Sequence, residues 1–289
     1  MWYLKNIPKV LFLYWGRNKP LSLLRYTTII SFIRLNPDWK VIVFYPKHIS
    51  YEETWRGNEQ KANFYKGKDY FDELTNIIYT KEVDFNLTEK DGKDPRNMPE
   101  VFKSDMLRIY LLSKYGGVWS DFDIVFLKSM KDLYINTKEY NNIGSTICYH
   151  NKYSFAGFLM SKKGSTVYTN IIDNKYYINI YSYTTILDYV YSDMFSKLDF
   201  LSKASNDSIA CKNIIYKDEL VINLAMDTVY PIRWDDTDKL VSDNKILLSN
   251  NTIGIHWYAG SNHLGQHEMG GLCQCNGFIC SKVREIYEI

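Results

Sequence analysis

Apolar and polar positions along this chain fall into blocks that change period. Val10–Tyr14 and Val41–Tyr45 are short, nearly unbroken β-rich runs, bounded by Gly16 and Pro20 in one case and Pro37 and Pro46 in the other. Such runs predict buried strands. Between them Leu24, Thr28, Ile29, Phe32 and Leu35 recur at helical spacing, which predicts a helix over Leu21–Leu35. Strand, helix and strand with short connections make the βαβ unit of a parallel sheet. Residues 51–100 are more polar and broken by Gly57, Gly67, Gly92 and Pro95. They predict a helical and loop excursion, with Lys90–Pro99 an exposed loop.

The best-defined helix comes next. Phe102, Met106, Leu107, Tyr110, Leu111 and Lys114 mark one stripe, and Gly116-Gly117 stops it. A short strand then ends in Asp121-Phe122-Asp123. Further on, Ile143–Tyr149, Phe155–Ser161 and Ile253–Tyr258 read as strands, and the Tyr-rich Tyr168–Phe200 as a half-buried helix. These alternating elements predict an α/β fold, and the length of 289 residues predicts one large domain over residues 1–289 or one domain with an insertion.

Composition narrows the class. The 46% hydrophobic and 24% charged residues are ordinary for a globular protein and argue against wholesale disorder. A net charge of +2 gives no reason to expect nucleic acid as a partner. The apolar run from Val10 to Trp15 is too short to span a bilayer, and no small-residue cleavage site follows it. The expectation is therefore no membrane span and a cytoplasmic location, the host cytoplasm for a viral protein or an effector. The sequons at Asn86, Asn206 and Asn250 carry no weight without a secretory signal.

An odd cysteine count does not describe a disulfide framework. Residues 263–289 read as a cysteine-containing tail, in which His263 and His267 precede Cys273, Cys275 and Cys280. Zinc ligation, free thiols and one local bridge are the alternatives there; the neighbouring glycines and the non-standard spacing weigh against zinc.

The chemistry concentrates at the carboxylates. On a strand, residues i and i+2 share a face, so Asp121 and Asp123 would present two carboxylates together with Phe122 turned into the opposite layer. Hard oxygen ligands at one spot suit Mg2+ or Mn2+, and an ion held there can grip the diphosphate of a nucleotide-linked substrate. Asp105 and Arg108 lie three apart on the preceding helix and reach one neighbourhood. An isolated pair of this kind is ordinarily a surface salt bridge, but this helix leads straight into the carboxylates. A glycoside hydrolase places its two carboxylates further apart, usually on different strands. A phosphotransferase or nuclease would show more acidic residues or a phosphate-cradling glycine-lysine loop.

The composite Ser104-Asp105-x-x-Arg108 followed by Tyr115-Gly116-Gly117-Val118-Trp119-x-Asp121-x-Asp123 resembles the sugar-binding DXD region of glycosyltransferases. The similarity is to the capsule and mannosyltransferase-like enzymes of family 32 and to the large clostridial glucosylating toxins. Ile7-Pro8-Lys9-Val10 with Tyr14-Trp15-Gly16 is similar to the family's opening strand. His256-Trp257-Tyr258-Ala259-Gly260-Ser261-Asn262 is similar to its terminal motif.

The resemblance implies a GT-A fold, a Rossmann-like and mainly parallel sheet flanked by helices, with the donor at the strands' C-terminal ends. It implies that Trp15 stacks on the base, and that Asp105 and Arg108 hold the donor sugar, with Ser104 and Gly117 alongside. Asp123 would ligate Mn2+ or Mg2+, and Asp121 would bind the ribose, the metal or its water. His256, or Ser261 and Asn262, would complete the metal and diphosphate site. The implied reaction transfers a hexosyl or N-acetylhexosaminyl group from a nucleotide sugar, UDP-linked first and GDP-linked second, to a glycan or protein hydroxyl with retention. The alternative is a non-catalytic binding protein on a degenerate transferase fold. Trp257 replaces a second histidine common in the family, Asn262 stands where many relatives have tryptophan, and Tyr181–Tyr189 lacks a Thr-Gly-Pro element.

Overall fold

The computed structural model describes residues 4–51, 65, 67–85, 98–133, 135, 143–150, 153–173, 212–243, 245–260 and 275–288. β1 (Val10–Tyr14), α1 (Leu23–Leu35) and β2 (Lys40–Pro46) form the expected βαβ unit, with β1 and β2 parallel. The helix starts two residues after its predicted limit. Leu21 gives its N–H to Asp69 Oδ1 at 2.8 Å, and Ser22 caps the helix through its Oγ, which accepts from the Arg25 N–H at 3.3 Å.

α2 (Phe71–Thr75) and β3 (Tyr79–Val83) follow, and β3 pairs parallel with β2. Residues expected to leave the sheet thus return to it as an edge strand. Its polar YTKEV composition suits an edge with exposed faces, so no alternation betrayed it.

α3 (Glu100–Lys114) and β4 (Gly117–Ser120) flank the two-glycine turn. Gly116 and Gly117 have φ of +65° and +116°, and a Cβ on Gly117 would lie 2.6 Å from Val10 Cγ1. Only glycine lets β4 approach β1 there. The helix buries more than the predicted stripe. Ile109 and Leu112 are buried, whereas Tyr110 and Lys114 point to solvent, because α3 packs both on the sheet and on a later helix.

The remaining elements are β5 (Ile124–Phe126), β6 (Ile143–Ile147), the hairpin β7 (Tyr149–His150) and β8 (Tyr153–Ser154), and β9 (Phe158–Ser161). They continue with α4 (Thr166–Asp173), β10 (Lys212–Tyr216), β11 (Glu219–Asn223), β12 (Gly254–His256) and α5 (Phe278–Tyr287). The helix predicted over Tyr168–Phe200 is seen as α4 to Asp173; beyond that it lies outside the described residues.

Eight strands form one sheet in the order β10-β11-β6-β9-β4-β1-β2-β3. Only β9 and the edge strand β10 run against the others. The protein is therefore mixed α/β with a large, mostly parallel central sheet, as expected. Both faces are covered: Leu11, Leu13, Val43 and Val118 pack on one side, and Phe12, Tyr14, Phe44 and Trp119 on the other.

β5 and β12 form a separate antiparallel pair under α1. Thr28 donates its hydroxyl to the Phe122 carbonyl at 2.9 Å, and the Phe126 N–H donates to Ser31 Oγ at 3.1 Å. Leu24, Val125, Ile255, Trp257, Ile279 and Val283 share a third core cluster, so the last part of the expected tail is integral to the fold. Cys275 and Cys280 form a disulfide, the local bridge among the three alternatives. As a disulfide they offer no thiolate to zinc. Cys273, His263 and His267 lie outside the described residues.

Candidate active site

Parallel strands deliver their loops to one edge of the sheet, and the candidate residues gather at that edge. β4 ends at Ser120 rather than at Asp123. The Asp121 N–H still reaches the Gly157 carbonyl at 2.8 Å, one step past the Ser120–Phe158 pair, and the chain then turns through Phe122-Asp123 into β5. Two carboxylates on one strand face is therefore corrected to two carboxylates across a turn. Phe122 is buried as expected, 5.6 Å from the Trp15 ring. The Trp257 N–H holds the turn by donating to the Asp123 carbonyl at 2.8 Å.

On the α3 side every charge has a partner. Arg108, 5% exposed, contacts Asp105 Oδ1 at 2.8 Å and Asp121 Oδ1 at 3.3 Å. It also donates to the Ala156 carbonyl at 2.6 Å and to Ser104 Oγ at 3.4 Å, and lies 5.0 Å from the Trp119 ring. Trp119 Nε1 donates to Asp121 Oδ1 at 2.8 Å. Asp121 is thus gripped through one oxygen. The pair Asp105–Arg108 is a buried tie between helix and site, not a surface bridge. Burial pushes the Asp105 carboxyl up to about 6, with Asp121 adding to the effect and Arg108 opposing it.

The β12 side differs. Asp123 Oδ2 accepts the Ala259 N–H at 3.0 Å, while Oδ1 is buried without a directed hydrogen bond, facing His256 Nε2 at 3.0 Å. Burial pulls Asp123 up, yet His256, the Arg25 charge and the Ala259 N–H together hold it down at about 2. His256 Nδ1 accepts the Tyr258 N–H at 3.3 Å. Tyr230 and Tyr258 flank this imidazole at 5.1 and 4.3 Å between ring centroids. Burial, above all, keeps both phenols protonated, raising the pKa of each above the ordinary tyrosine value.

Asp121, Asp123 and His256 can each point a ligand atom to within 4.8 Å of the others, the one such group among the described residues. The fit to a divalent cation rests on Asp123 Oδ1, a buried anionic oxygen lacking a directed donor. It rests also on Gly157, where a Cβ would stand 3.1 Å from His256 Nε2 and 3.0 Å from the Tyr230 hydroxyl.

Of the other expected residues, Ser104 joins the cluster through Arg108. Trp15 is partly buried, with the Arg25 guanidinium 5.0 Å from its ring. Gly117 lies at the opposite end of β4, packed against Val10 and Phe12. Ser261 and Asn262 lie outside the described residues. Sequence reasoning did not single out Tyr230, Gly157 or Arg25, because nothing in their spacing marks them; Tyr258 stood in the terminal motif without a role.

Residues 25–146 match the family model described as "Glycosyltransferase sugar-binding region containing DXD motif". That span is less than half of the chain but contains Asp105, Arg108, Asp121 and Asp123. The match supports a DXD glycosyltransferase. No curated protein matches the chain. Among solved structures, "PaToxG Glycosyltransferase" is 16% identical with a TM-score of 0.45, covering 69% of this chain and 72% of its own. An active-site mutant of LgtC is 11% identical with a TM-score of 0.46, covering 96% and 95%. LgtC as a galactosyltransferase "in complex with donor and acceptor sugar analogs" is 10% identical with a TM-score of 0.38, covering 91% and 96%.

Proposed function

We propose that this protein is a metal-dependent glycosyltransferase that moves a hexosyl or N-acetylhexosaminyl group from a nucleotide sugar, UDP-linked in preference to GDP-linked, to a glycan or protein hydroxyl. The observation that carries the reading is Arg108. One buried guanidinium ties Asp105 to Asp121, beside the point where Asp121, Asp123 and His256 converge. Sugar-hydroxyl acceptors and metal ligands thus form one continuous site. The similarity of the DXD composite to the family 32 enzymes and glucosylating toxins supports the same reading.

Asp121, Asp123 and His256 would hold the ion; a nitrogen ligand among carboxylates favours Mn2+ over Mg2+, which binds chiefly oxygen. Such an ion supplies Lewis-acid stabilisation of the diphosphate as negative charge develops on it. Asp105 accepts hydrogen bonds from sugar hydroxyls, and Arg108 fixes it so that the acceptor hydroxyl meets a positioned anomeric carbon. Trp15, Ser104, Ser261 and Asn262 complete donor binding in this reading. The acceptor attacks from the face that the diphosphate leaves, giving retention. Among the described residues no helix is long and apolar enough to cross a membrane. The Cys275–Cys280 disulfide suits an oxidising compartment better than the cytoplasm expected from sequence.

The test incubates the protein with UDP- and GDP-sugars and Mn2+ and follows the anomeric proton by NMR. Release of free sugar or glycoside with the donor's configuration is expected. Inverted product contradicts the retaining reaction, and no turnover of any donor contradicts the transferase.

A further inference from the structure

The hydroxyls of Tyr230 and Tyr258 are buried, and neither has a hydrogen-bond partner among the described residues. Buried polar atoms are rarely left so, because their desolvation then goes uncompensated. Tyr230 is 3% exposed, and its ring is packed between Phe155 at 5.0 Å and His256 at 5.1 Å. Its hydroxyl lies 3.0 Å from the point where a Cβ on Gly157 would sit, and His256 Nε2 lies 3.1 Å from that same point. The phenol therefore converges with a metal-ligand nitrogen on a space kept open by a glycine.

Tyr258 reaches the cluster by a strained backbone, φ +51° in a non-glycine residue, which brings its ring to 4.3 Å from His256. Asp123 Oδ1 is the third buried atom here without a hydrogen bond. Two phenol donors and one carboxylate oxygen, itself 3.0 Å from His256 Nε2, thus flank the same imidazole. A donor sugar offers hydroxyl donors, which match the carboxylates on the α3 side. A diphosphate offers only acceptor oxygens, which match phenol O–H groups.

We propose that Tyr230 and Tyr258 donate hydrogen bonds to the diphosphate oxygens of the bound nucleotide, on the His256 side of the metal cluster. This rests on the transferase reading and gives its leaving group two neutral donors besides the cation. The hydroxyls exist unpaired in the free protein because their partner is the ligand.

The test compares wild type with Tyr230→Phe in three measurements: melting temperature without metal, Mn2+ affinity alone by EPR, and UDP and GDP affinity with saturating Mn2+ by calorimetry. The melting temperature is expected to equal or exceed that of wild type, since an unpaired buried hydroxyl is removed. Mn2+ affinity should be unchanged, and diphosphate affinity should fall roughly ten- to a hundredfold, as for a hydrogen bond to a charged group. Tyr258→Phe should show a smaller loss in the same direction, and serves alone should the first variant misfold. Unchanged diphosphate affinity in both variants overturns the inference and leaves the transferase reading standing. A lower melting temperature in a folded variant, or a parallel loss of Mn2+ affinity, also overturns it, by giving the hydroxyl a structural or metal-site role. Failure of wild type to bind either nucleotide overturns both readings.

Discussion

The two flanks of the carboxylate turn are built on opposite principles. On the α3 side, Asp105, Arg108, Trp119 and Asp121 are tied together by ion pairs and a hydrogen bond, so the geometry stands without a ligand. On the β12 side, Asp123 Oδ1 and the hydroxyls of Tyr230 and Tyr258 are buried without hydrogen bonds. One flank is held together by its own charges, and the other, in the reading proposed above, is completed by what binds. Removing groups from the first should therefore cost stability, and changing the second should cost binding.

The largest stability effect is expected from Arg108→Ala. It leaves Asp105 and Asp121 facing each other with no cation between them, and breaking a buried pair by removing one partner costs about 3–5 kcal/mol. Denaturant unfolding measures it, and a loss under about 1 kcal/mol would reduce the tie to an ordinary surface bridge. Arg108→Lys should recover little, because a single ammonium cannot span both carboxylates and the Ala156 carbonyl.

A smaller effect is pH-dependent. Asp105, raised to about 6 chiefly by burial, binds its proton more tightly folded than unfolded. Stability of the metal-free protein from this group is complete below about pH 4 and declines as pH rises through about 6, by up to about 3 kcal/mol. Asp105→Asn should lack that decline while losing donor binding. Identical pH profiles for the two proteins would sink the assignment.

On the other flank, Gly157→Ala places a methyl 3.0 Å from the Tyr230 hydroxyl and 3.1 Å from His256 Nε2. Stability should change by only about 1 kcal/mol, within the usual range for one substitution, while Mn2+-dependent nucleotide binding falls at least tenfold. Calorimetry that shows undiminished binding would remove Gly157 from the site.

The same division explains what the sequence could reveal. The α3 flank is local: helix periodicity, the Gly116-Gly117 stop and the Asp-Phe-Asp spacing lie within about twenty consecutive residues, so pattern alone exposed them. Even there, spacing does not distinguish a strand end from a turn, so the sequence extends the strand through Asp123 where the chain turns. β3 escaped notice because an edge strand needs no apolar face. The β12 flank is assembled across long separations. Asp123 meets His256 and Ala259, and Tyr230 arrives through a loop after β11. His256 was reached only through family resemblance, and Tyr230, with no motif around it, was not reached at all.

In the proposed reading, Asp123 and its neighbours bind a nucleotide diphosphate through a divalent ion. Thermal-shift titration with UDP and GDP, each with and without Mn2+, on wild type and Asp123→Ala tests it most directly, since a ligand that binds only the folded state raises the melting temperature. Mn2+-dependent stabilisation of wild type by one nucleotide in preference to the other, absent in Asp123→Ala, is expected. No shift with either nucleotide, or an equal shift in the variant, would contradict it.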